Sequence, residues 1–308
     1  MKVLIVCSKN SGSIAPFITE QVEALNGLGV ETEYFGVEQK GWRGYLKSRK
    51  PLKRKIMEFK PDIIHAHFGL SGLLANLQRK IPVITTYHGS DINVEQVFRF
   101  SKWSIRLSKF NIFVSQKNLE KVNAKSNVAL IPCGTDVDVF KPLNKTEINE
   151  KLRLQAEVKN ILFAGAFENK VKNAELAQKA VALLNNAHLI ELKGFTRDEV
   201  AQLMNAVDAC LMTSFTEGSP QFIKEAMACN CPIVSVDVGD VKDVIDGVKN
   251  CYIADYDEKD ITGKLQLILD KGGRSNGREK ILKMGLDSES VARKLISVYN
   301  GVLEKNND

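Results

Sequence analysis

Little in this 308-residue sequence points to a membrane-spanning, secreted or disulfide-linked protein. No apolar run approaches the roughly 20 residues that a membrane-spanning helix needs. The first seven residues are apolar but run directly into a loop, which indicates a first strand rather than a signal peptide. The six cysteines are scattered, and Cys229 and Cys231 have the wrong spacing for a metal-binding pair. We therefore expect a cytoplasmic protein with buried, reduced cysteines.

Proline and glycine are also few, with 8 and 21 residues, and the chain is 44% hydrophobic and 26% charged, as in ordinary globular domains. Its length exceeds what one hydrophobic core usually organises, so two domains are expected. The charge is divided unevenly along the chain. The first 150 residues hold 22 Lys and Arg against 14 Asp and Glu, whereas the remainder holds 21 against 23.

Most of the positive excess falls between Lys40 and Lys60, where Glu58 is the only acidic residue. Aromatic and aliphatic residues are interleaved with the cations, which predicts a basic amphipathic helix over residues 45–59. Such a helix binds an anionic membrane surface from the cytoplasmic side, or it packs its apolar face on the N-terminal sheet; both interpretations stay open. No nucleic-acid-binding motif accompanies the charge, so no nucleic acid partner is expected.

Short apolar runs alternate with helical patterns through almost the whole chain, which predicts parallel sheets with helices on both faces. A polar segment, residues 141–146, separates two such series and predicts a linker. We therefore predict an α/β fold of two doubly wound, Rossmann-like domains that face each other across a cleft. The binding site is expected between the carboxyl ends of their strands. The predicted domains and final helix cover residues 1–142, 143–287 and 288–308.

The most informative stretch is residues 213–228, where a turn rich in glycine and proline separates an apolar run from a helical pattern. Pro220 favours the first turn of that helix, whose free N–H groups and dipole attract phosphate or hydroxyl oxygens. Glu217 lies just before this turn and Glu225 about two turns later, so they can contact separate points of one elongated ligand. A ligand that is both phosphorylated and rich in hydroxyl groups is indicated, and a nucleotide sugar fits.

With the following residues 224–234 (Lys-Glu-Ala-Met-Ala-Cys-Asn-Cys-Pro-Ile-Val), this Glu-x7-Glu stretch resembles the donor site of retaining glycosyltransferases of family 4. These enzymes, also called group 1 glycosyl transferases, have the GT-B fold, in which a last helix crosses back to the first domain. The resemblance implies transfer of a sugar from a nucleotide diphosphate sugar to a glycan or lipid-linked acceptor, as in polysaccharide biosynthesis. It also implies retention of the anomeric configuration and no metal or other cofactor. A non-catalytic nucleotide-sugar-binding protein and a sugar-nucleotide epimerase are the alternatives.

The resemblance assigns roles to five residues of the predicted donor-binding domain. It implies that Glu225 binds the two ribose hydroxyls and that Glu217, with the N–H groups of Gly218 and Ser219, contacts the donor sugar. Lys172 is implied to bind the diphosphate. Fixed positive charge at that point stabilises the charge that grows on the leaving group in the transition state.

Two loops are implied to approach the donor through their backbone. The loop around Gly12 follows the first strand and resembles a diphosphate-binding turn, although a plain strand-to-helix turn is the alternative. Phe195 and Thr196 resemble the base-binding turn, where backbone groups contact the base and the phenylalanine ring stacks on it. A buried phenylalanine is the alternative there.

The sequence departs from the family at Ala166, where members of the family typically have an arginine that binds the diphosphate. The lysine that follows about five residues later is matched by Lys172 rather than by Lys170. One of two cations is therefore missing, which is the observation behind the non-catalytic alternative.

Three of the four histidines lie at predicted strand ends of the N-terminal domain. The segment from His88 to Asp91 resembles the motif that faces the donor sugar. By that resemblance His88 contacts the transferred sugar or phosphate and Asp91 lies on the acceptor side. His65 is interpreted as structural, and His67 has no assigned role. A zinc site formed by these three histidines lacks a fourth ligand, so no metal site is predicted.

Two acidic stretches are given no catalytic role. Asp136 and Asp138 have a spacing that also occurs in metal sites, but a turn beside the linker is the better interpretation. Residues 237–240 follow a predicted strand, and the glycine among them permits close approach of backbone to a ligand. The side chains of that loop are not assigned.

Overall fold

The computed structural model describes residues 1–10, 12–152 and 157–307. The chain divides into two compact units, which we call the N-terminal unit (Met1–Gly134 with Ser288–Asp308) and the C-terminal unit (Thr135–Asp287). The boundary predicted after residue 142 lies a few residues beyond this division. Residues 135–142 go with the C-terminal unit because the fully buried Phe140 lies in one of its hydrophobic clusters.

The N-terminal unit contains a six-stranded parallel sheet in the order β2-β1-β3-β4-β5-β6. The strands are β1 (Lys2–Ser8), β2 (Glu31–Val37), β3 (Ile63–His67), β4 (Val83–Tyr87), β5 (Phe110–Phe113) and β6 (Val128–Leu130). The central strands β3 and β4 are buried along their whole length, as expected where helices cover both faces of a parallel sheet. The strand order reverses between β1 and β3, and ligands bind at such switch points in open α/β sheets.

Helices cover both faces of this sheet. They are α1 (Pro16–Gly27), α2 (Gly41–Lys47), α3 (Arg49–Phe59), α4 (Gly69–Asn76), α5 (Ser90–Asn93), α6 (Glu95–Leu107) and α7 (Gln116–Val122). Two helices, α2 and α3, occur where a single basic helix was predicted over residues 45–59. Ser48 lies between them, as the C-cap of the first and the N-cap of the second. Tyr45, Leu52 and Phe59 pack in the hydrophobic cluster on one face of the sheet. Part of the apolar side of this segment is therefore buried within the unit.

The C-terminal unit contains a five-stranded parallel sheet in the order β11-β10-β9-β7-β8. The strands are β7 (Lys159–Phe163), β8 (Ala187–Ile190), β9 (Ala209–Met212), β10 (Ile233–Val236) and β11 (Cys251–Ala254). Its order reverses between β7 and β9. The loops after these two strands carry Lys172 and Glu217, so the sheet brings together residues that lie 45 positions apart.

The remaining helices are α8 (Lys145–Leu152), α9 (Ala174–Ala182), α10 (Arg197–Ala206), α11 (Gln221–Ala228), α12 (Val241–Ile245), α13 (Glu258–Lys271), α14 (Gly277–Met284) and α15 (Ser288–Asn307). The prediction of a linker at residues 141–146 is wrong at its end, because α8 begins at Lys145. The Asn144 side chain caps this helix by accepting from the N–H of Thr146, and the Lys145 ammonium pairs with Asp208 at 2.8 Å. The segment is therefore anchored to the C-terminal unit.

Helix α15 belongs to the N-terminal unit. Leu295 and Tyr299 are buried in the same hydrophobic cluster as Ile5 and Val22, on the sheet face that α1 covers. No helix among the described residues combines the length and the apolar character of a membrane-spanning segment.

Candidate functional site

In the C-terminal unit, hydrogen bonds join the loops that follow β7 and β9. The Thr213 hydroxyl lies 3.0 Å from the carbonyl oxygen of Lys172 and 2.9 Å from that of Asn173. The N–H of Phe215 donates to the carbonyl of Val171 at 2.9 Å. The backbone that carries Lys172 is therefore fixed to the backbone that leads to Glu217.

These loops bring two of the predicted catalytic residues into contact. The Lys172 ammonium lies 2.7 Å from Oε1 of Glu217, and the two side chains are 21% and 18% exposed. Lys172 ends a short 3₁₀ helix, Lys170–Lys172. Gly165 leaves space for the Lys172 side chain, since a Cβ atom there would lie 3.1 Å from its Cγ. A partly exposed cation thus lies beside a carboxylate at the switch point of the sheet.

Glu225 lies on the buried side of α11 and forms a second ion pair. Its Oε1 atom is 2.7 Å from Nη2 of Arg197, the first residue of α10, and its side chain is 5% exposed. The Arg197 guanidinium also lies 4.5 Å from the centre of the Phe140 ring. Arg197 was not predicted, because a single arginine at a helix start carries no signal of its partner. One of the two oxygens predicted to bind ribose is therefore already engaged.

The turn before α11 is fixed from outside the Glu-x7-Glu stretch. Pro220 is the N-cap residue of α11, directly before its first turn, and the helix spans Gln221–Ala228 as predicted. The Ser219 hydroxyl donates to Oδ2 of Asp240 at 2.5 Å. Asp240 belongs to the loop whose side chains were left unassigned, and it is a second residue that sequence analysis missed.

The predicted base-binding turn is open to solvent at Phe195. This ring is 41% exposed, so the alternative of a buried phenylalanine is wrong. Thr196 is the N-cap residue of α10 in a reciprocal capping box: its hydroxyl accepts from the N–H of Glu199 at 3.4 Å, and its own N–H donates to Oε2 of Glu199 at 2.8 Å. The carbonyl of Thr196 accepts from the N–H of Val200. The backbone groups of Thr196 are therefore used to start the helix, which leaves base contacts to Phe195.

In the N-terminal unit, His65 is a structural residue, as predicted. It is fully buried, with Nδ1 lying 2.6 Å from the Tyr299 hydroxyl and Nε2 lying 2.7 Å from the Thr86 hydroxyl. Burial lowers the pKa of His65 to about 3, so the ring is neutral. This residue joins β3 to β4 and to helix α15.

His67 and His88 form a hydrogen-bonded pair beside it. The fully buried His67 ring stacks on His65 with ring centres 4.6 Å apart, and its Nδ1 lies 3.0 Å from Nε2 of His88. Nε2 of His67 lies 3.4 Å from the Gln21 amide nitrogen, so it accepts, and Nδ1 then donates to His88. Burial and the neighbouring His65 and His88 hold the pKa of His67 well below 6.5.

The half-buried His88 ring lies among aromatic residues. The centres of the Phe17 and Phe68 rings are 4.8 and 4.6 Å from its own, and Nδ1 lies 3.6 Å from Sγ of Cys133. Because Nε2 accepts from His67, both ring nitrogens have partners within the N-terminal unit. The exposed part of the ring is what remains for a ligand.

Asp91 does not have the geometry of a direct acceptor contact. Its side chain is 1% exposed; Oδ1 accepts from the N–H groups of His88 and Gly89 at 3.0 Å, and Oδ2 accepts from that of Gly69 at 3.1 Å. Burial raises the pKa of Asp91 to about 6, although these N–H groups favour the charged form. Asp91 therefore ties the loop after β4 to the start of α4, and its place on the acceptor side stays a prediction.

The remaining assignments concern backbone. Gly12 has φ +99 with open space around it, and it follows Ser11, which lies outside the described residues. Oδ1 of Asp136 accepts from the N–H groups of Asp138 and Val139, which confirms the turn there. No cluster of three or more His, Cys, Asp or Glu side chains suited to a metal ion occurs in the described part of the chain. The six cysteines, all within the described part of the chain, are thiols rather than disulfides, and all but Cys251 are buried.

Two family models match the chain, one on most of each unit. The model for Glycosyltransferase Family 4 matches residues 2–139, and the model for Glycosyl transferases group 1 matches residues 147–271. Among relatives, the chain is 25% identical over 238 residues to TuaC of Bacillus subtilis, which is named for teichuronic acid biosynthesis. The match covers 64% of this chain and 61% of TuaC, so the chain spans about three fifths of the length of that relative.

Solved structures share the fold over almost the whole chain. Sucrose-phosphate synthase from Thermosynechococcus elongatus matches with a TM-score of 0.85 at 16% identity, covering 99% of this chain and 100% of that one. HepE from Anabaena, solved in complex with UDP, matches with a TM-score of 0.78 at 15% identity, covering 98% and 100%. At such identities the likeness concerns the fold. Together with the two family models, it leads to the conclusion that the chain belongs to family 4 of the glycosyltransferases, with the GT-B fold.

Proposed function

We propose that this protein transfers a sugar from a nucleotide diphosphate sugar to a glycan or lipid-linked acceptor, with retention of the anomeric configuration. The observation that carries the proposal is the pair of ion pairs around the start of α11, Lys172 with Glu217 and Arg197 with Glu225. A diphosphate needs cations and a ribose or sugar needs carboxylate acceptors, and both are present at the switch point of the C-terminal sheet.

The proposed roles follow from what each group offers. Glu225 accepts from a ribose hydroxyl through the oxygen that Arg197 leaves available. Lys172 exchanges Glu217 for the diphosphate, whose charge grows as the bond to the sugar breaks, so the cation acts most strongly in the transition state. Glu217 and the N–H groups of Gly218 and Ser219 then contact the sugar. The loop at Gly12 is proposed to approach the diphosphate, and the exposed part of His88 the sugar.

Retention is proposed to follow from attack on the same face that the leaving group departs from. The acceptor hydroxyl forms the new bond to the anomeric carbon and gives its proton to the departing phosphate oxygen. No side chain needs to form a covalent bond to the sugar. Lys172 supplies charge stabilisation, so we propose that transfer needs no metal ion, and excess chelator is expected to leave it unchanged.

HepE has been solved with UDP and with UDP-glucose, and TuaC is named as a glycosyltransferase of teichuronic acid biosynthesis. These names support a nucleotide sugar as the donor and a glycan or glycolipid as the acceptor. The base is proposed to be held by the exposed Phe195 ring, because the backbone of Thr196 is engaged in capping α10.

The proposal is tested by a thermal-shift panel of UDP, GDP and ADP with UDP-glucose, GDP-mannose and ADP-glucose. At about 100 times the dissociation constant a ligand adds roughly 2.7 kcal/mol, which is several degrees for domains of this size. We expect a shift for one base that disappears in Glu225→Ala. Glu289→Ala is the matched control, because it also breaks an Arg–Glu pair but on the exposed side of α15. A flat panel with well-folded wild-type protein would contradict the proposal.

Ala166 supports one alternative, a protein that binds the nucleotide sugar without transferring it. Family members typically carry an arginine at this position, and here the methyl group leaves Lys172 without that second cation. The alternative predicts a base-selective thermal shift without release of nucleoside diphosphate in the presence of acceptors. Release of nucleoside diphosphate at a rate that Glu225→Ala abolishes would exclude it.

We also propose that the segment between Lys40 and Lys60 binds an anionic membrane surface, which places the protein at the inner face of the membrane. Trp42, Leu46 and Met57 are 47%, 50% and 60% exposed on the two helices that carry the cations. Exposed apolar side chains beside Lys and Arg suit the boundary between lipid headgroups and acyl chains.

The membrane proposal is tested by sedimentation with vesicles that contain phosphatidylserine. Lys53 and Arg54 are exposed, whereas Lys55 pairs with Glu33, so charge reversal at the first two is the sharper test. We expect Lys53→Glu with Arg54→Glu to abolish binding, and Lys55→Glu alone to weaken it less. Binding that is indifferent to the double reversal would contradict the proposal.

A further inference from the structure

The loop between β10 and α12 contacts the loop between β9 and α11 at two points. Oδ2 of Asp240 accepts the hydroxyl of Ser219 at 2.5 Å. Next to it, Gly239 has φ +57 and packs against backbone, since a Cβ atom there would lie 2.3 Å from the carbonyl oxygen of Gly218. Only glycine fits both the left-handed conformation and this contact. The two loops are therefore held together by backbone packing and by one short hydrogen bond.

A buried cation completes this arrangement. Lys224, the residue before Glu225 on α11, is 1% exposed. Burial raises the pKa of Asp240, while the positive charge of Lys224 and the hydrogen bond from Ser219 oppose that shift. The charge of Lys224 therefore favours the ionised form of the Asp240 carboxylate. The same carboxylate interacts with residues at both ends of the segment that separates Glu217 from Glu225.

Stability alone is a poor reason for this arrangement. Removing a lysine and an aspartate from water is costly, and apolar residues of similar volume often serve a core as well or better. The charged groups instead fix the position of the Ser219 hydroxyl and, with it, the orientation of the adjoining peptide groups. Those peptide groups are the ones proposed to contact the donor sugar.

We propose that Asp240 is a positioning residue of the donor site, which holds Ser219 so that the N–H groups of Gly218 and Ser219 face the sugar of a nucleotide sugar. This inference rests on the proposed function. Asp240 itself is not proposed to contact the substrate. Its effect passes through Ser219, so the two residues act as one unit and their contributions are not additive.

The test compares Asp240→Ala, Ser219→Ala and the double variant, with Asp240→Asn as the conservative variant that keeps an acceptor oxygen. Asp243→Ala is the control, because Asp243 is an exposed acid on the adjoining helix α12. Two quantities are measured for each variant. One is amide hydrogen exchange over residues 217–220 without ligand. The other is the affinity for UDP-glucose, GDP-mannose and ADP-glucose relative to the matching nucleoside diphosphates.

We expect Asp240→Ala to speed exchange over residues 217–220 and to weaken the best-bound nucleotide sugar about tenfold, an effect of roughly 1.4 kcal/mol. Affinity for the nucleoside diphosphate should change less than twofold, because Glu225 and Arg197 are not in this loop. Ser219→Ala and the double variant should match Asp240→Ala, and Asp240→Asn should recover most of the loss. A merely structural role would lower the melting temperature without separating the two affinities.

The outcomes distinguish this inference from the proposed function. If wild type binds a nucleotide sugar and Asp240→Ala behaves as Asp243→Ala does, the positioning role is overturned. If the effects of Asp240→Ala and Ser219→Ala add in the double variant, Asp240 does not act through Ser219. If wild type binds no nucleotide sugar, the proposed function fails, while faster exchange in Asp240→Ala still supports the control of the loop by Asp240.

Discussion

The two units place their candidate site residues at equivalent points of a parallel sheet, yet they fill those points with opposite chemistry. The N-terminal unit uses buried, neutral rings: His65 and His67 are fully buried, and His67 donates to His88. The C-terminal unit uses charge: Lys172 pairs with Glu217 and Arg197 with Glu225, and the cations are partly exposed. The histidines bond to groups inside their own unit. The cations of the C-terminal unit pair with carboxylates, and a ligand can take the place of those carboxylates.

This difference indicates which unit is prepared for a charged ligand. Moving a cation out of water is unfavourable, and the ion pair with Glu217 already offsets part of this desolvation penalty for Lys172. A phosphate that displaces the carboxylate therefore gains a cation whose position is already fixed. Rings held at neutral charge offer no such exchange, but they keep the loop after β4 in one conformation. We expect substitutions of Lys172 and Arg197 to change ligand binding and turnover, and substitutions of the buried His65 and His67 to change stability.

Lys172→Ala gives the largest expected effect and tests whether the charged residues of the C-terminal unit act on the ligand. Removing one preorganised charged donor from a site where charge develops typically costs about 10²–10³-fold in rate. We expect a loss of that size in kcat, with the affinity for the nucleoside diphosphate reduced only a few-fold because Glu225 and Arg197 are intact. The measurement is release of nucleoside diphosphate from the nucleotide sugar that the thermal-shift panel selects.

The matched control for this prediction is Lys170→Ala. Lys170 lies two residues earlier on the same short 3₁₀ helix, but it is exposed. Equal losses in the two variants would mean that the helix matters rather than the cation of Lys172. Normal turnover in Lys172→Ala would show that its pairing with Glu217 serves the fold alone.

The sequence predicted those parts of the C-terminal unit that depend on neighbouring residues. The strands at residues 209–212 and 233–236 and the helix at 221–228 occur where the apolar pattern and the Gly-Ser-Pro turn placed them. Glu217 and Glu225 followed from the same short stretch. Arg197 and Asp240 did not, because each reaches its partner through the tertiary fold, across 28 and 21 residues of chain.

In the N-terminal unit the sequence was a weaker guide. Pro51, in the first turn of α3, lacks the N–H that a continuous helix would donate to the carbonyl of Lys47, but this signal was overlooked and one helix was predicted where α2 and α3 occur. The resemblance of the segment His88–Asp91 implied that Asp91 lies on the acceptor side, but whether a carboxylate faces solvent or the backbone of its own loop depends on burial. Burial follows from the packing of α4, α5 and β4 together, and no local pattern encodes it.

A pH titration of stability tests whether the buried histidines of the N-terminal unit are neutral. Unfolded histidine has a pKa near 6.5, whereas the folded-state pKa of His65 is about 3 and that of His67 is well below 6.5. The native state therefore binds fewer protons, and stability that is present above pH 6.5 is lost as the pH falls toward 3. Each histidine contributes a slope of roughly 1.4 kcal/mol per pH unit inside this window.

The measurement is urea unfolding between pH 7 and pH 4, followed by tryptophan fluorescence. The two tryptophans, Trp42 and Trp103, both lie in the N-terminal unit, so the signal reports that unit. We expect His65→Gln to reduce the slope by about one proton, or roughly 1.4 kcal/mol per pH unit. His188→Gln, at an exposed position of the other unit, should leave it unchanged. A slope that His65→Gln does not alter would contradict the neutral, buried ring.

Arg197→Ala gives the smallest expected effect and sharpens the comparison most. Arg197 holds one oxygen of Glu225 at 2.7 Å and stacks on Phe140, so its loss leaves a nearly buried carboxylate without a fixed direction. We expect the affinity for the nucleoside diphosphate to fall about tenfold, or roughly 1.4 kcal/mol, measured by calorimetry. Arg293→Ala, which breaks an exposed pair with Glu289, should have no effect, since such pairs contribute little. Tighter binding in Arg197→Ala would reverse the interpretation. Arg197 would then compete with ribose for Glu225, and their ion pair would have to break before a nucleotide could bind.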